Sequence, residues 1–410
     1  MKPKPTGPIP SGYSAIDGEL AIGGRAASEL VDLAGRTPCF VYSREHLDQR
    51  VSMLRSAMPE RLGINYAVKA NPFALVIEHM AGLVDGFDIA SAGELEMVKA
   101  AGIDPARVSF AGPGKRDEEL EASISAGVTL NCESEGEARR AMAIGERLGK
   151  APCIAIRVNP DFELKGSGMK MGGGAKPFGV DAERVPALAR EVISAGAEWR
   201  GLHIFTGSQA LSAEAIIEAQ GNVLECANRL SDEIGAPLPK LNMGGGFGIP
   251  YFSGDAPLDI SVIGGALGER FDALPDSLSE TDLCIELGRY LVGEAGVYLT
   301  RIIDRKGSHG VIYLITDGGL HHQLAASGNF GTVVRRNYPV AIATRFGASP
   351  EEEASVVGCL CTPLDRLADN AYLPRAQVGD LVAVFCAGAY GASASPANFL
   401  GHGPAAEILV

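Results

Sequence analysis

The chain has little positive charge and few aromatic residues. Its 410 residues include 36 Lys and Arg against 50 Asp and Glu, for a formal net charge of -14, and aromatic residues make up 6%. Nucleic acids and anionic membranes are bound mainly through clustered Lys and Arg, so this balance argues against both as partners. An anionic ligand would need a local site of its own.

The sequence also lacks an apolar run long enough to span a membrane, and its first residues lack the apolar core of a signal peptide. Its eight cysteines show no Cys-x-x-Cys spacing, so the common zinc motifs are absent. Scattered cysteines in apolar segments are typical of small buried thiols in a reducing compartment. We therefore predict a cytoplasmic protein.

Strand-like and helix-like segments alternate through the first two thirds of the chain. The strand candidates are 64–69, 86–90, 108–111, 129–132, 154–158, 201–205, 240–243 and 282–286. Eight β-then-α units favour a parallel (β/α)8 barrel, and a doubly wound open sheet is the alternative with the same alternation. A chain of this length also predicts a second domain.

The alternation stops near Arg289. Beyond this point strand candidates follow one another with few helical stretches, so the last third is predicted to be a separate, mainly β domain. Near the other end, 19–33 is predicted as a helix and 37–42 as a short strand.

Lys69 follows the apolar run 64–68. A lysine at the end of a core strand is costly unless it is neutralised, paired or used covalently. An amine whose pKa is lowered by burial is the group that forms a Schiff base with an aldehyde. A lysine that merely reaches solvent from the strand end is the competing interpretation.

A later strand candidate is followed by four glycines, Gly244, Gly245, Gly246 and Gly248. Positions without side chains let successive backbone N–H groups turn toward an anion, which predicts a phosphate cradle. The run matches neither G-x-G-x-x-G nor a Walker loop, which disfavours a nucleotide. A tight packing turn is the alternative.

Further polar residues lie at the ends of other strand candidates or shortly after them. Glu286 can hold a heterocyclic nitrogen cationic, and Arg289 can bind a phosphate with its planar guanidinium. Ser208 and Tyr390 each add a hydroxyl beside glycines, and Cys361 offers a thiol that can act as acid or base. Taken singly, each has an ordinary structural interpretation, such as a surface ion pair or a turn.

From about residue 37 to 410, the motifs in this order resemble those of the fold-type III pyridoxal-phosphate decarboxylases, the family of diaminopimelate and ornithine decarboxylase. The matching segments are 66–71, 87–94, 207–209, 244–246, 286–289, 361 and 388–390. Segments 110–115, 168–173, 316–322 and 395–402 are similar to two subgroups: decarboxylases encoded with exosortase A-type systems, and the glutamyl-carrier-protein decarboxylase of butirosin biosynthesis.

The resemblance implies an alanine-racemase-like architecture, with a cofactor-binding barrel over 42–289 and a mainly β domain made of 1–41 and 290–410. It implies a homodimer with shared active sites, since in this family the cysteine at 361 reaches the neighbouring subunit's site and helps to reprotonate the product. An isolated monomer is then expected to be inactive.

The resemblance also implies the roles of individual residues. Lys69 would hold pyridoxal 5'-phosphate as a Schiff base, and Glu286 would keep the pyridine nitrogen protonated while the α-carboxylate leaves as carbon dioxide. Arg157 would lie near the phenolic oxygen, and Glu94 on the lysine side of the pocket. The implied catalytic residues are Lys69, Cys361 and Glu286. The implied cofactor-binding residues are Lys69, Asp88, Arg157, Phe205, Ser208, Gly244, Gly245, Gly246, Glu286, Arg289 and Tyr390. The implied substrate contacts are Cys361, Thr362 and Asp365.

Two positions depart from the family pattern. Phe205 replaces a histidine that stacks on the cofactor, and Thr362 replaces an acidic residue that meets the distal amine of diamino substrates. A neutral threonine cannot offset a buried ammonium group. The sequence therefore predicts decarboxylation of an amino acid with a neutral, acidic or extended far end, with a carrier-bound aminoacyl group and its acyl carrier protein as one candidate. A diaminopimelate, lysine or ornithine decarboxylase is the alternative.

Three other functions are weighed against this one. An amino-acid racemase shares the barrel and the lysine, but that family pairs an arginine, not a carboxylate such as Glu286, with the pyridine nitrogen. A non-catalytic regulator related to ornithine decarboxylase would have lost cofactor residues that are present here. Adjacent His321 and His322 would point opposite ways on a strand, so no metal is predicted.

Overall fold

The fold is taken from a computed structural model that describes residues 3–166, 168–328 and 335–410. The chain forms two compact units. One, the β-rich unit, contains the chain up to Arg50, Ile249–Pro257 and Arg289–Val410, and the other, the barrel unit, contains Val51–Gly248 and Leu258–Gly288. The domain boundaries predicted from the sequence stay a prediction. The segment Ile249–Pro257 lies within the predicted barrel range but belongs to the β-rich unit.

The described residues of the barrel unit form a closed barrel of eight parallel strands. Each strand pairs with the next in chain order, and the last pairs with the first. The strands are β1 Gly63–Ala67, β2 Gly86–Ile89, β3 Val108–Phe110, β4 Thr129–Cys132, β5 Cys153–Asn159, β6 Glu198–Ile204, β7 Lys240–Asn242 and β8 Asp282–Leu287. Closure confirms the predicted barrel and excludes the open doubly wound sheet.

Helices connect the strands of the barrel. They are Ala74–Ala81, Ala92–Ala100, Asp117–Ala126, Glu135–Leu148, Val185–Ser194, Ala213–Ile234, Ile260–Asp272 and Asp276–Ser279, and Arg44–Ala57 leads from the β-rich unit into the barrel unit. Several begin at a side chain that caps the first turn. Ser91 and Ser134 each accept a backbone N–H three residues on, at 3.1 Å. Because the barrel strands are parallel, their carboxyl ends meet at one rim.

The β-rich unit is built on a sheet whose longest strand is Gly296–Ser308. This strand pairs antiparallel with Val311–Thr316, Leu381–Val384 and Cys39–Tyr42. Cys39–Tyr42 also pairs in parallel with Ala406–Leu409, so both chain ends take part in the sheet. The remaining strands of this unit are Ser14–Ile16, Glu19–Ile22, Arg25–Ala26, Val340–Ile342, Glu352–Val357 and Arg366–Leu373, and its helices are Ala27–Ala34 and Arg289–Val292. The predicted mainly β domain, completed by the N-terminal segment, is confirmed.

One predicted element is wrong. The segment 19–33 is not a single helix, because Glu19–Ile22 and Arg25–Ala26 pair as a hairpin and only Ala27–Ala34 is helical. The turn between the two strands consists of Gly23 and Gly24, both with positive φ, a conformation that glycine adopts at no steric cost.

Among the described residues, no helix combines the length and the apolar character that crossing a bilayer requires.

Candidate active site

Lys69 lies at the rim formed by the carboxyl ends of the barrel strands. It belongs to a single turn of 3-10 helix, Val68–Ala70, because β1 ends at Ala67 and not at the lysine as predicted. Its side chain is exposed, so the expected burial of the amine is wrong. The Nζ atom lies 5.8 Å from the centre of the Phe205 ring, which follows β6. The amine therefore lies beside an aromatic face at the rim.

Glu286 is a buried carboxylate on β8. Its Oε2 accepts a hydrogen bond from Asn242 Nδ2 at 3.0 Å and lies 3.1 Å from His203 Nε2. Burial raises the pKa of Glu286, but the charges of His203, Lys69 and Arg157 more than offset this and hold the pKa well below its usual range. The acid stays ionised and can hold a heterocyclic nitrogen cationic.

The pKa of Asp88 is shifted in the opposite direction. This residue lies on β2 and is also buried, with Oδ1 accepting a hydrogen bond from the Ser109 hydroxyl and Oδ2 without a hydrogen-bond partner among the described residues. Burial, followed by the charge of Glu286, raises the pKa of Asp88. The two carboxyl groups thus have opposite pKa shifts, an arrangement typical of sites that separate acid from base.

Glu94 belongs to the helix Ala92–Ala100 that follows β2. Its Oε2 accepts a hydrogen bond from the Ala90 backbone at 2.6 Å. Burial raises the pKa of Glu94, and this hydrogen bond and the charge of Lys69 partly oppose the shift. Its place on the lysine side of the pocket stays a prediction.

Arg157 is buried on β5 and makes an ion pair that the sequence does not predict. Its Nη1 donates to Glu133 Oε1 at 2.9 Å, and its guanidinium carbon lies 6.0 Å from the centre of the Phe205 ring. Glu133 also accepts hydrogen bonds from the backbone N–H groups of Gly112 and Gly179. Glu133 directly follows β4, so the rule that polar residues at strand ends meet at one rim could have found it.

The glycine run after β7 is tightly enclosed. Gly244 and Gly246 have φ of 70° and 89°, and a Cβ atom on Gly245 would lie 1.9 Å from the carbonyl oxygen of Glu286. A Cβ atom on Gly246 would lie 2.6 Å from the carbonyl oxygen of Gly207, the neighbour of Ser208. These positions exclude side chains, and a backbone turn beside a hydroxyl fits a phosphate group.

In the β-rich unit, Arg289 begins the short helix Arg289–Val292. Its Nη1 donates to the Tyr251 hydroxyl at 2.9 Å, and its guanidinium carbon lies 4.9 Å from the centre of the Tyr390 ring. Tyr390 itself has a φ of 57°, a conformation uncommon outside glycine. The guanidinium is therefore fixed by two phenols.

Cys361 is exposed on a loop, 358–365, of the same unit. The carboxylate of Asp365 is buried and holds this loop together. Its Oδ1 accepts a hydrogen bond from Leu320 N at 2.7 Å, and its Oδ2 accepts one from Leu360 N at 2.8 Å. Thr362 follows the thiol directly and is the neutral residue predicted to face the substrate.

His321 and His322 lie on a turn and not on a strand. Their rings are 3.8 Å apart between centroids, so the expectation that the two side chains point opposite ways is wrong. The alternation of side chains that holds along a strand does not apply to a turn.

Comparison with known proteins agrees with the barrel fold. Residues 44–293 match the family model described as pyridoxal-dependent decarboxylase, pyridoxal binding domain. The chain is 35% identical to the L-glutamyl-[BtrI acyl-carrier protein] decarboxylase of Niallia circulans, over 93% of this chain and 91% of that protein. It is 34% identical to the diaminopimelate decarboxylase of Archaeoglobus fulgidus, over 97% and 93% of the two chains.

Among solved structures, the diaminopimelate decarboxylase of M. jannaschii in co-complex with L-lysine superimposes with a TM-score of 0.87 at 26% identity. The match covers 98% of this chain and 93% of that one. Its similarity extends through both units, beyond the range of the family model. The chain therefore belongs to the pyridoxal-dependent decarboxylases and is an amino-acid decarboxylase that uses pyridoxal phosphate.

Proposed function

We propose that this decarboxylase acts on an amino acid whose far end carries no free ammonium group, with a carrier-tethered aminoacyl group as the favoured substrate class. The observation that carries the proposal is the composition of the loop 358–365. Its only carboxylate is Asp365, and both oxygens of that side chain accept backbone hydrogen bonds. A desolvated ammonium group without a carboxylate partner would cost several kcal/mol.

A second observation favours the tethered form. Cys361 and Leu364 are exposed, and the loop beside Thr362 offers hydroxyl and apolar groups without a free charge. The similar protein from Niallia circulans is named for a glutamyl group on an acyl carrier protein. A free diamino acid is the competing substrate class, because other similar proteins are named diaminopimelate decarboxylases.

We assign the chemical roles in the barrel as follows. Pyridoxal phosphate, when bound, draws in the electron pair left by the departing carboxylate. The Lys69 amine would hold the cofactor covalently, and Glu286, kept ionised, would hold the pyridine nitrogen cationic. Phe205 would contribute an aromatic surface that cannot hydrogen-bond or carry charge. The remaining proposed cofactor contacts are Asp88, Arg157, Ser208, Gly244, Gly245 and Gly246. Arg289 and Tyr390 stay predicted phosphate ligands.

We further propose a homodimer in which the partner subunit's Cys361 completes each site. Within the β-rich unit, Cys361 is exposed and Leu364 is 53% exposed. Phe399 and Leu400 are also exposed, at 47% and 59%. Burial against a second copy of the chain would explain both the exposure of the loop residues and the exposure of Phe399 and Leu400.

Carbon dioxide release tests the substrate class. We expect slow release from L-lysine, L-ornithine and diaminopimelate, and faster release from a glutamyl group carried as a thioester on an acyl carrier protein. The variant Thr362→Glu should gain activity on the diamino acids about 10-fold, since a carboxylate then meets the ammonium group. The matched neutral variant Thr362→Gln should not gain activity on the diamino acids. Efficient turnover of a diamino acid by the unaltered enzyme would contradict the proposal.

Mixing two inactive variants tests the shared site. Lys69→Ala and Cys361→Ala should each be inactive alone. Mixed subunits should recover about a quarter of the activity, because half of randomly exchanged dimers are mixed and each holds one intact site. No recovery, with subunit exchange verified by mass, would contradict a site completed by the partner subunit's Cys361.

A further inference from the structure

A cluster of three side chains in the β-rich unit lies outside every role assigned above. The ligand atoms of His321, Cys359 and His402 all lie within 4.8 Å of one another. Cys359 Sγ is 3.9 Å from His402 Nε2, and the ring centroids of His321 and His402 are 4.7 Å apart. These separations are close to those of atoms that share one small ion.

His321 gives an independent reason to expect a ligand. Its side chain is fully buried, and neither ring nitrogen has a hydrogen-bond partner among the residues that the structure describes. Buried polar groups are almost always hydrogen-bonded, and an unsatisfied one destabilises the folded chain. A metal ion in the cluster would satisfy this ring.

The neighbouring His322 differs from His321 because its ring nitrogens have partners. Its Nε2 lies 2.9 Å from the Gly403 carbonyl oxygen, and its Nδ1 lies 3.3 Å from the Tyr298 hydroxyl. Both ring nitrogens are therefore occupied, so His322 is a supporting residue and not a ligand. Its contact with Gly403 fixes the chain directly after His402, which positions that ligand.

His321 and Cys359 are held near each other by one side chain, that of Asp365. Asp365 accepts hydrogen bonds from the backbone of Leu320 and of Leu360, the residues adjacent in sequence to His321 and Cys359. The donors are brought together by the fold of the β-rich unit and do not depend on an ion to gather them. Such preorganisation favours metal binding over accidental proximity.

We propose that His321, Cys359 and His402 bind a divalent transition metal of the zinc class. Two imidazoles and one thiolate suit Zn²⁺, and the absence of a carboxylate from the set argues against Ca²⁺ and Mg²⁺. Three protein ligands leave a fourth position, and His402 is exposed, so the ion can enter from solvent. Binding replaces the S–H bond of Cys359 with a sulfur–metal bond and releases the proton to water. The bound ion would fix the loop that carries Cys361, two residues along the chain.

The test uses the cofactor-loaded enzyme after dialysis against a chelator, titrated with Co²⁺ alone and then with Zn²⁺. We expect one Co²⁺ per chain, with the visible ligand-field bands of a tetrahedral ion measured as a difference from the metal-free enzyme, and displacement by one Zn²⁺. The variants Cys359→Ser, His321→Gln and His402→Gln should each weaken Co²⁺ binding by at least about 10-fold.

Two matched controls separate this site from others. Cys361→Ser, at the exposed thiol two residues away, and His309→Gln, at an exposed histidine, should bind Co²⁺ as the unaltered enzyme does. The proposal is overturned if no Co²⁺ binds, if Cys359→Ser binds it unchanged, or if Cys361→Ser loses it. Because His402 is exposed, His402→Gln keeps the test decisive even where His321→Gln fails to fold, which circular dichroism would reveal.

Discussion

The barrel and the loop 358–365 position their reactive groups by different means. In the barrel, Asp88, His203 and Glu286 are buried on strands whose carboxyl ends must meet once the parallel sheet closes. In the loop, Cys361 is exposed, and its position depends on hydrogen bonds that the buried Asp365 makes to backbone amides.

This difference suggests a division of labour. Rigid, buried strand ends suit bond breaking, which needs fixed charges in a dry environment. An exposed loop can change a side chain without disturbing a core, so it suits the choice of substrate. Changes in the barrel should therefore slow every substrate alike, whereas changes in the loop should alter the ranking of substrates.

The largest expected effect tests the barrel half of this comparison. Replacing Lys69 by Ala removes the amine proposed to hold the cofactor, so decarboxylation should fall by about 10⁴-fold or more and the yellow absorbance of the bound cofactor should be lost. Absorbance spectra and carbon dioxide release measure both. Lys165→Ala, at an exposed lysine paired with Glu218, should leave both unchanged. A yellow Lys69→Ala protein would show that another lysine holds the cofactor.

A smaller effect is expected from Glu286→Gln. Glutamine keeps the shape and can still accept the Asn242 hydrogen bond, but it cannot hold the pyridine nitrogen cationic. Removing a preorganised charge of this kind costs about 10²–10³-fold in kcat. The loss should be equal for all substrates in steady-state assays, with cofactor binding retained. A loss confined to one substrate would break the comparison between barrel and loop.

Much of the fold follows from the sequence, because parallel barrel strands are continuous apolar runs separated by amphipathic helices. The strand Thr129–Cys132 is predicted to the residue. The strand Arg366–Leu373 is missed, since its polar and small residues do not alternate clearly. The predicted helix over 19–33 fails because a hairpin turn of two glycines interrupts it.

The site is predictable in part for a related reason. Residues at the carboxyl ends of strands, such as Glu286, are found because closure of the barrel brings strand ends together. The pairing of Arg157 with Glu133, and of Glu286 with Asn242, depends on which side chains share a layer inside the barrel, and one sequence does not specify this. The cluster around His321 escapes prediction because it joins three segments far apart in the chain.

The glycine run offers a test of stability within the barrel. A Cβ atom on Gly245 would lie 1.9 Å from a backbone carbonyl oxygen, so Gly245→Ala should destabilise the cofactor-free protein by about 1–3 kcal/mol. The exposed helical Gly265 has no atom within 4 Å of its added Cβ, and Gly265→Ala should stabilise by about 0.5–1 kcal/mol. Thermal unfolding measures both. Equal tolerance of the two substitutions would mean that the glycine run 244–246 is not rigid.

The smallest expected effect concerns the pH dependence of stability in the cofactor-free protein. The pKa of Asp88 is raised, so the folded chain holds a proton that the unfolded chain has released, and stability falls as pH rises from about 4 through the raised pKa. Asp88→Asn cannot ionise, so its Tm relative to the unaltered protein should increase over this range, by an amount equivalent to about 1 kcal/mol.

The Ser109 hydroxyl makes this last prediction sharper. It donates to Asp88 and so stabilises the ionised form, which means that Ser109→Ala should raise the pKa of Asp88 further and steepen the fall in stability with pH. Asparagine can still accept the same hydrogen bond, so Asp88→Asn isolates the charge. If the difference in Tm between Asp88→Asn and the unaltered protein shrank as pH rose, Asp88 would be ionised like Glu286, and the contrast between the two buried carboxyl groups would be lost.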